Sequence, residues 1–469
     1  MANETFTLAA FASGLGLDAI PPAAAERAKA LTLDLLGSAI RARGEAESTP
    51  AVMAALARLG LDGQGACTVM GDARGYAPPV AALMNGVLGH SLDFDDTHAE
   101  SSLHPSAPVV PAALAAGELA GADGATVLAA IVAGYEVCCR LGLALDPAAH
   151  YARGFHPTAT AGTFGAAAAA GRVLGLGPGQ MASAFGVAGS QAAGSLQFLQ
   201  NGAWNKRWQV GQAAMNGLIA ASLAAEGFRG SAEAIEGRHG LLAGYTDAPH
   251  PERAIRGLGE DWETLKIAVK PYPSCRYTHA ALDGLLRLRL QHSLTGGDIR
   301  ALEVGLHRSG VVLVGEPQDA KRRPRNVVDG QFSMAFCAAV ALDQGSFGWD
   351  DYRRLGEAGI DALCDRVSVR RDEAVEAASP HPFAARVSLK TAKGDFELMI
   401  RDPSGEPASF PGRAALDGKF LALAEPVLGE GARKLADGVL SLERFGKVSE
   451  ALAPGSAVIG PTKVIGTAA

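Results

Sequence analysis

The sequence predicts a mainly helical protein with a smaller α+β region, and three observations lead to this fold class. Apolar residues recur at helical spacing through most of the first half of the chain. The apolar pattern changes to strict alternation at two places after residue 268, and helical spacing returns at 412–443. Alanine and glycine are frequent while aromatic residues make up only 6%, which favours helices that pack closely through small side chains.

The first long helix is predicted at 21–43, because this segment begins with Pro-Pro and stops before Gly44. Leu31, Leu35 and Ile40 fall at helical spacing and would form a buried stripe. Further helices, joined by short connections, are predicted at 50–59, 78–92, 106–121, 124–145, 158–174, 179–193, 209–226 and 230–236. The short connections indicate stacked helical hairpins.

The character of the chain changes near residue 268. Alternating apolar residues predict a strand in the stretch 299–315. A second alternating stretch, 383–400, breaks at Lys393-Gly394 and predicts a β-hairpin. The apolar segment 330–345 between them reads as a buried helix. Residues 268–401 are therefore predicted to form a smaller α+β domain.

Composition excludes several classes of protein. The net charge is −7, from 42 basic and 49 acidic residues, so no general basic field for nucleic acid is present. Six cysteines without a CxxC pattern indicate free thiols in a reducing cytoplasm rather than a zinc site or a disulfide framework. The N-terminus has no signal-peptide pattern, and the apolar segments look too short or interrupted to span a membrane. We therefore expect a cytoplasmic protein without a membrane partner.

The stretch "HSLDFDDTHAESSLHPSAPVV" places many ionisable groups directly before an apolar helix. Asp93, Asp95, Asp96, His98 and His104 could hold a metal, but their spacing is not that of a helical metal motif. Capping of turns and of the following helix explains some of them. Proton transfer is the third interpretation, because a histidine beside a helix N-terminus has its neutral form favoured.

A second stretch, "HYARGFHPTATAG", repeats this arrangement, since His156-Pro157 again precedes a helix of small residues. Two such helix starts could both face one anion, or could lie far apart. In "QNGAWNKRWQVGQAA", Lys206 and Arg207 stand between two tryptophans. Partial burial there would make Lys206 an anion-binding group or a base.

A fourth stretch, "KIAVKPYPSCRYTHAALDG", lies where the composition switches. It contains Lys270, Arg276, Tyr277 and His279. A domain junction is a usual place for a cleft, although a hinge with exposed basic residues is an equal alternative.

These stretches together resemble the MmgE/PrpD family. The segments that carry the resemblance are "LDFDDTH", "HPSAPVVPAALA", "GYEVCCRL", "RGFHPTATAGTFGAAAAAGRVLGL", "NKRWQVGQAA" and "VKPYPSCRYTHAALD", in the order of the family. The resemblance implies a large all-helical domain built from both chain ends, 1–267 and 402–469 with its tail, and an inserted smaller α+β lid domain, 268–401. It also implies a homodimer and a site between domain and lid, with no metal and no organic cofactor.

The resemblance further implies a set of site residues. Members similar to cis-aconitate decarboxylase carry an Asp and a Thr in a DFDDT segment, two His-Pro histidines and two lysines. In this chain the matching residues are Asp93, Thr97, His104, His156, Lys206 and Lys270. Arg207, Arg276, Tyr277 and His279 are expected to help bind the substrate.

The expected function is that of a cofactor-free enzyme acting next to a carboxylate of a small di- or tricarboxylic acid. The lysines would stabilise charge on carboxylate oxygens, and a histidine would carry the proton. A dehydratase of the 2-methylcitrate type is placed first, because that reaction is widespread in the family. A cis-aconitate-type decarboxylase and an iminodisuccinate-type epimerase are the alternatives. A non-catalytic dimer that binds a carboxylate ligand is the alternative from another class.

Overall fold

The computed structural model describes residues 3–63, 65–200, 202–378, 381 and 383–456. Contacts divide this chain into two compact units. The first contains the chain up to Val269 and resumes at Gly412, and the second is Lys270–Pro411. The predicted boundaries lay at 267/268 and 401/402. Of the tail predicted at 453–469, only residues 453–456 are described, and Ala453–Gly455 form a short 3₁₀ helix.

The first unit is built almost entirely from helices, which confirms the mainly helical fold class. Before the second unit, its helices are α1 (Glu4–Gly14), α2 (Pro22–Glu45), α3 (Thr49–Arg58), α4 (Pro78–Gly89), α5 (Ser106–Ala120), α6 (Gly124–Ala144), α7 (Pro147–Ala152), α8 (Pro157–Val173), α9 (Pro178–Gln191), α10 (Asn205–Ala225), α11 (Leu241–Tyr245) and α12 (Pro251–Ile255). Two short antiparallel pairs join loops of this unit: β1 (Cys67–Thr68) with β2 (Gly75–Tyr76), and β3 (Thr97–His98) with β4 (Ile267–Ala268).

Three expectations for this unit are corrected. The segment 230–236 forms turns and not a helix. Helix α10 begins at Asn205 rather than at 209, so that Lys206 lies in its first turn. Helix α6 is 21 residues long and apolar enough to cross a membrane, so the expectation that this segment is too short was wrong. Its most apolar window is 94% buried inside the fold, as in the core helix of a soluble protein.

Glycine contacts explain how closely the central helices pack. A Cβ added to Gly211 of α10 would lie 2.4 Å from the carbonyl oxygen of Leu83 in α4. A Cβ on Gly134 of α6 would lie 2.8 Å from the carbonyl oxygen of Gly165 in α8. Such distances leave no room for any side chain, because real Cβ atoms do not approach backbone that closely. The small residues noted in the sequence therefore set the spacing of α4, α6, α8 and α10.

The second unit combines a four-stranded sheet with helices. Its helices are α13 (His279–Gln291), α14 (Arg308–Gly310), α15 (Gln318–Arg322), α16 (Val327–Gln331), α17 (Met334–Gln344), α18 (Ala358–Cys364) and α19 (Glu373–Glu376). The strands are β5 (Ile299–Leu306), β6 (Val367–Arg371), β7 (Ala385–Thr391) and β8 (Gly394–Ile400), in the order β6-β5-β7-β8. Strand β5 pairs parallel with β6, and the other pairs are antiparallel.

Alternation predicted three of these strands, β5, β7 and β8. The hairpin of β7 and β8 turns between Thr391 and Gly394, where the sequence breaks its alternation. Strand β5 ends at Leu306, and the rest of the predicted stretch is helical. After this unit the chain returns to helices α20 (Arg413–Leu428), α21 (Gly431–Leu440) and α22 (Val448–Leu452). The predicted helix at 412–443 is therefore divided at Gly429, whose φ is 55°.

Candidate active site

The loop between α4 and α5 carries three aspartates that each have a fixed partner. Asp93 accepts a hydrogen bond from Lys206 Nζ at 2.8 Å. Asp95 Oδ2 lies 2.6 Å from His90 Nδ1. Asp96 accepts hydrogen bonds from the backbone N–H and the hydroxyl of Ser106, the first residue of α5. These hydrogen bonds thus hold the three aspartate side chains in different, fixed positions.

Further contacts hold the backbone of this loop. Lys419 Nζ donates to the carbonyl oxygen of Phe94 at 2.8 Å and lies 3.8 Å from the centroid of its ring. Thr97 pairs with Ala268 in the β3–β4 ladder. Asp93 has a φ of 51°, a left-handed conformation that costs free energy for a residue other than glycine. The strain at Asp93 is therefore held by contacts on both sides of it.

His104 lies just before the start of α5, and contacts of its Nδ1 atom fix the orientation of its ring. Its Nδ1 donates to the carbonyl oxygen of Asp96 at 2.7 Å and lies 3.5 Å from Asp95 Oδ2. Its backbone N–H donates to Thr158 Oγ1 at 3.1 Å. Because a carbonyl oxygen can only accept, Nδ1 carries a proton, and the proton that His104 exchanges is therefore on Nε2.

His156 is the N-cap residue of α8 and is buried. Its Nδ1 lies 3.1 Å from Gln209 Oε1 in α10, and its ring contacts Phe198 edge-on. Burial lowers the pKa of His156 well below its usual value, and electrostatic interactions with His90 and Lys206 lower the pKa further. His156 is consequently neutral at pH 7.

A third imidazole, His90, joins the two histidines that the sequence singles out. The ring centroid of His90 lies 4.7 Å from that of His104 and 6.2 Å from that of His156. His90 is buried at the end of α4. The two histidines of the His-Pro motifs are thus neighbours in space, and the alternative that they lie far apart is excluded.

Lys206 brings a positive charge to the same cluster. Burial by itself would lower the pKa of Lys206, but the carboxylates of Asp93 and Asp95 outweigh this effect and raise it. Lys206 is therefore a cation at neutral pH and acts by attraction. The idea that it is a base with a lowered pKa is wrong.

His90, Asp95 and His104 also form a group that could hold a metal ion, since their ligand atoms lie within 4.8 Å of one another. The Nδ1 atoms of both histidines are, however, engaged in hydrogen bonds of 2.6 and 2.7 Å. A metal bound through these Nδ1 atoms would have to replace both protons. We therefore describe the group as a hydrogen-bonded cluster.

The other predicted residues of the first unit lie around this cluster or apart from it. Thr97 is half-buried in β3. Arg207 donates to Ser48 Oγ at 3.2 Å and lines a cavity with Trp204 and Trp208. The described contacts of Arg207 therefore point to this cavity, and its role in substrate binding stays a prediction.

The remaining predicted residues belong to the second unit. Lys270 is buried. Arg276 pairs with Glu406, so its charge already has a carboxylate partner. His279 is fully buried, with Nε2 3.1 Å from the carbonyl oxygen of Ser274, and Tyr277 packs edge-on against Phe383. Participation of these four residues in the site stays a prediction.

Two residues of the cluster were not predicted from the sequence, His90 and Gln209. His90 stands in the quoted ionisable stretch, three residues before Asp93, and this proximity was the available signal. Gln209 follows Lys206 by three residues, so both side chains lie on the same face of α10. An uncharged amide gives no signal of its own in a sequence.

The assembled cluster combines a cation, a neutral imidazole and a second imidazole beside a carboxylate. Lys206 can stabilise negative charge on a substrate carboxylate. His104 and His156 can each exchange a proton through Nε2. Together these groups could support proton transfer at a carbon atom next to a carboxylate.

Comparison with known proteins places this cluster in a family. The MmgE/PrpD N-terminal domain matches residues 7–254 and the MmgE/PrpD C-terminal domain matches residues 272–444. Cis-aconitate decarboxylase of Aspergillus terreus is 31% identical over 94% of both chains. The cis-aconitate decarboxylase-like protein of Aspergillus oryzae is 29% identical over 96% of this chain and 97% of its own. Cis-aconitate decarboxylase of Mus musculus is 31% identical over 57% of this chain and 55% of its own. The two domain matches cover most of the chain, and the chain belongs to the MmgE/PrpD family.

Proposed function

We propose that this protein is a cofactor-independent decarboxylase that acts on a small tricarboxylic acid of the cis-aconitate type. The observation that carries the proposal is the grouping of His104, His156 and Lys206 around His90. Relatives that match the chain over nearly its whole length are named for cis-aconitate decarboxylation. These names favour the decarboxylase over the dehydratase that was placed first from the sequence.

The chemistry of such a substrate defines what the site has to do. In cis-aconitate, one carboxylate sits on a CH2 group next to a carbon–carbon double bond. When its C–C bond breaks, CO2 leaves and the electron pair spreads over three carbon atoms and the carboxylate at the far end. A proton added to the far carbon completes the reaction, and the double bond moves to the CH2 end.

Each step has a candidate group in the cluster. Negative charge that develops on the remaining carboxylate would be stabilised by Lys206, whose own position is fixed by Asp93. His104 would deliver the proton to carbon through Nε2, because its Nδ1 is occupied by the Asp96 carbonyl. Lys270 of the second unit is proposed as the second cation, in keeping with the family resemblance. The homodimer and the cytoplasmic location expected from the sequence are retained in the proposal.

Product analysis by proton NMR tests this function. The purified protein is incubated separately with cis-aconitate, 2-methylcitrate and iminodisuccinate, and CO2 is measured alongside. We expect loss of CO2 from cis-aconitate, which His104→Gln reduces by about 10²-fold or more. The exposed His239 offers a matched control, since His239→Gln removes an imidazole of the same unit far from the cluster in sequence.

The other outcomes identify the alternatives. Loss of water from 2-methylcitrate without loss of CO2 from cis-aconitate would replace the decarboxylase by a dehydratase. Inversion of iminodisuccinate would indicate an epimerase. Binding of an acid without any turnover would support the non-catalytic carboxylate-binding dimer and overturn the proposal.

A further inference from the structure

Two chain segments form a close support around His156. The segment at Ser195 pairs antiparallel with the segment at Phe155. The backbone N–H of His156 donates to the carbonyl oxygen of Gly194 at 3.0 Å, and that of Leu196 donates to Gly154 at 2.9 Å. A Cβ on Gly194 would lie 3.3 Å from the Cβ of His156. The backbone on both sides of the imidazole is therefore fixed.

The side chain of Gln209 completes this support and can be oriented without ambiguity. Its Nε2 donates to the carbonyl oxygen of Ser195 at 2.9 Å. Because that carbonyl can only accept, the amide must present its Oε1 to His156 Nδ1, 3.1 Å away. The Nδ1 atom must then be the donor. In the neutral imidazole, the lone pair is consequently on Nε2.

The charges around His156 favour this neutral form. The ionisable groups that face it are His90 at the end of α4, Lys206 in α10 and His150 in α7, and each lowers the pKa of His156. The N-terminus of α8, where His156 is the cap residue, adds the positive end of a helix dipole. The hydrogen bond to Gln209 raises the pKa of His156, but burial and the interactions with His90 and Lys206 outweigh it.

His104 has surroundings of the opposite sign. Its Nδ1 faces the carbonyl oxygen of Asp96 and the carboxylate of Asp95, 2.7 and 3.5 Å away. The ring of His90, which Asp95 also contacts at 2.6 Å, is a further ionisable neighbour. Such different surroundings commonly push apart the pKa values of two titratable groups within one site.

We propose that Gln209 is a positioning residue that fixes the tautomer of the neutral His156, with its lone pair on Nε2, so that His156 has no proton to deliver at Nε2 and His104 is the histidine that donates the proton to carbon. This assignment rests on the proposed function for its catalytic meaning. The state of the imidazole itself does not depend on which acid is the substrate. Gln209 acts through His156 and is not assigned a contact with the substrate.

Nitrogen-15 NMR of the histidine side chains tests the proposal in the substrate-free protein. The full chain is labelled at histidine, and the His156 signals are assigned by their loss in His156→Gln. We expect a neutral ring protonated on Nδ1 at pH 7. In Gln209→Glu, a carboxylate replaces the amide oxygen, and the titration midpoint of His156 should rise by about 1–3 pH units. In Gln209→Met, the acceptor is lost and the two neutral forms should coexist.

A matched variant distinguishes the effect of direct contact with His156 from the effect of a negative charge added elsewhere on α10. Gln212→Glu adds the same charge one helical turn further along α10 and should move the midpoint much less. The proposal is overturned if His156 is charged or protonated on Nε2 in the unaltered protein at pH 7. Equal midpoints in Gln209→Glu and Gln212→Glu would overturn it as well.

Kinetic measurements connect the state of the His156 imidazole to catalysis. They also distinguish a failure of this assignment from a failure of the proposed function. The acid limb of the kcat/KM profile should move to higher pH in Gln209→Glu, in parallel with the NMR midpoint. Absence of turnover with every acid, combined with the expected NMR result, would reject the decarboxylase but leave the imidazole assignment intact. An active enzyme whose His156 gives the contrary NMR result would reject the assignment alone.

Discussion

At the scale of single residues, the site is organised by pairing each charge with a fixed partner. Lys206 holds Asp93 at 2.8 Å, and Asp93 tolerates a left-handed backbone with a φ of 51°. Asp95 contacts one histidine and lies close to a second. The cation is consequently held in place before any substrate arrives, as electrostatic catalysis requires.

Removal of the Lys206 charge tests this organisation. Lys206→Met keeps most of the side-chain volume but removes the cation that would stabilise charge on the substrate. We expect kcat/KM to fall by about 10²–10³-fold, as measured by steady-state kinetics with the acid that proves to be the substrate. Lys434→Met, at an exposed position of α21, should leave the rate within a factor of about two.

A loss in Lys206→Met no greater than that in Lys434→Met would contradict the role of Lys206. Circular dichroism on both variants separates this outcome from unfolding. A fall in kcat with an unchanged KM would place the effect in the transition state, whereas a rise in KM alone would place it in substrate binding.

The sequence predicts the ionisable residues of the cluster better than the residues that hold them in position. Asp93, His104, His156 and Lys206 were all singled out, because charged groups beside helix starts stand out in a chain rich in alanine and glycine. Gln209 was not, because its role depends on a hydrogen bond to Ser195 that no local pattern encodes. The sequence left the protonation of Lys206 open between a cation and a base, since it depends on two carboxylates more than 100 positions away in the chain.

At the scale of helices and strands, close packing of α4 against α10 positions the cluster. Helix α4 ends beside His90, and α10 carries both Lys206 and Gln209. The two helices approach through Gly86 and Gly211, where an added Cβ on Gly86 would lie 2.7 Å from the Cα of Gly211. A change in this spacing would move the three side chains relative to one another.

Substitution of Gly211 tests the effect of this spacing. In Gly211→Ala, the new methyl group would meet the carbonyl oxygen of Leu83 at 2.4 Å, so the helices must separate. We expect the free energy of unfolding to fall by about 1–3 kcal/mol, with loss of activity, measured by thermal unfolding and by kinetics. Gly418→Ala in α20 is the matched control, because nothing lies within 4 Å of its added Cβ, and it should be neutral or up to about 1 kcal/mol more stable. Equal stability of the two variants would contradict the packing argument.

A buried carboxylate holds the β3–β4 ladder that contains Thr97. Glu263 accepts hydrogen bonds from His98 in β3 at 3.0 Å and from Lys266, next to β4, at 2.9 Å. Burial by itself would raise the pKa of Glu263, but the hydrogen bonds from His98 and Lys266 lower it to about 2. The ladder is thus held by an ionised group that is largely shielded from water.

The low pKa of Glu263 predicts a specific pH dependence of stability. A folded pKa below the unfolded one stabilises the protein above the unfolded value of about 4.5, and this stabilisation is lost as the pH falls toward about 2. Glu263→Gln should therefore lower the free energy of unfolding by about 2–3 kcal/mol at pH 7. The difference from the unaltered protein should shrink as the pH is lowered below 4.5.

Urea denaturation followed by tryptophan fluorescence at several pH values measures this difference. Glu226→Gln, at an exposed position after α10, is the control for removal of one negative charge. A difference between Glu263→Gln and the unaltered protein that stays constant from pH 7 to about pH 3 would show that ionisation of Glu263 does not stabilise the fold.

Element prediction from the sequence succeeds where the periodic pattern is long. The helices corresponding to α2, α5, α6 and α8 begin and end within a few residues of their predicted bounds. Short segments fail, because at 230–236 several apolar and acidic residues mimic one helical turn while the backbone forms turns. Helix α1 was not predicted, since its residues Glu4–Gly14 show no clear apolar face.

At the scale of the whole molecule, the two compact units match the two family domains only in part, because the C-terminal domain match includes residues 412–444 of the first unit. The unit boundary at Val269/Lys270 falls between the two family matches, which end at 254 and begin at 272. The cluster of His90, His104, His156 and Lys206 belongs to the helical unit. Family membership could be predicted from the sequence, because the motifs of the family are long and specific. The choice between dehydratase, decarboxylase and epimerase could not, because the same residues could serve each of these reactions.

In the proposed reaction, this helical unit delivers a proton to carbon as CO2 leaves a small tricarboxylic acid. The most direct measurement is turnover of cis-aconitate in deuterium oxide, with CO2 and the deuterium content of the product quantified together. We expect one deuterium atom on carbon for each CO2 released, and loss of both signals in His104→Gln. Release of CO2 that continues undiminished in His104→Gln, or no release from cis-aconitate at all, would contradict the account.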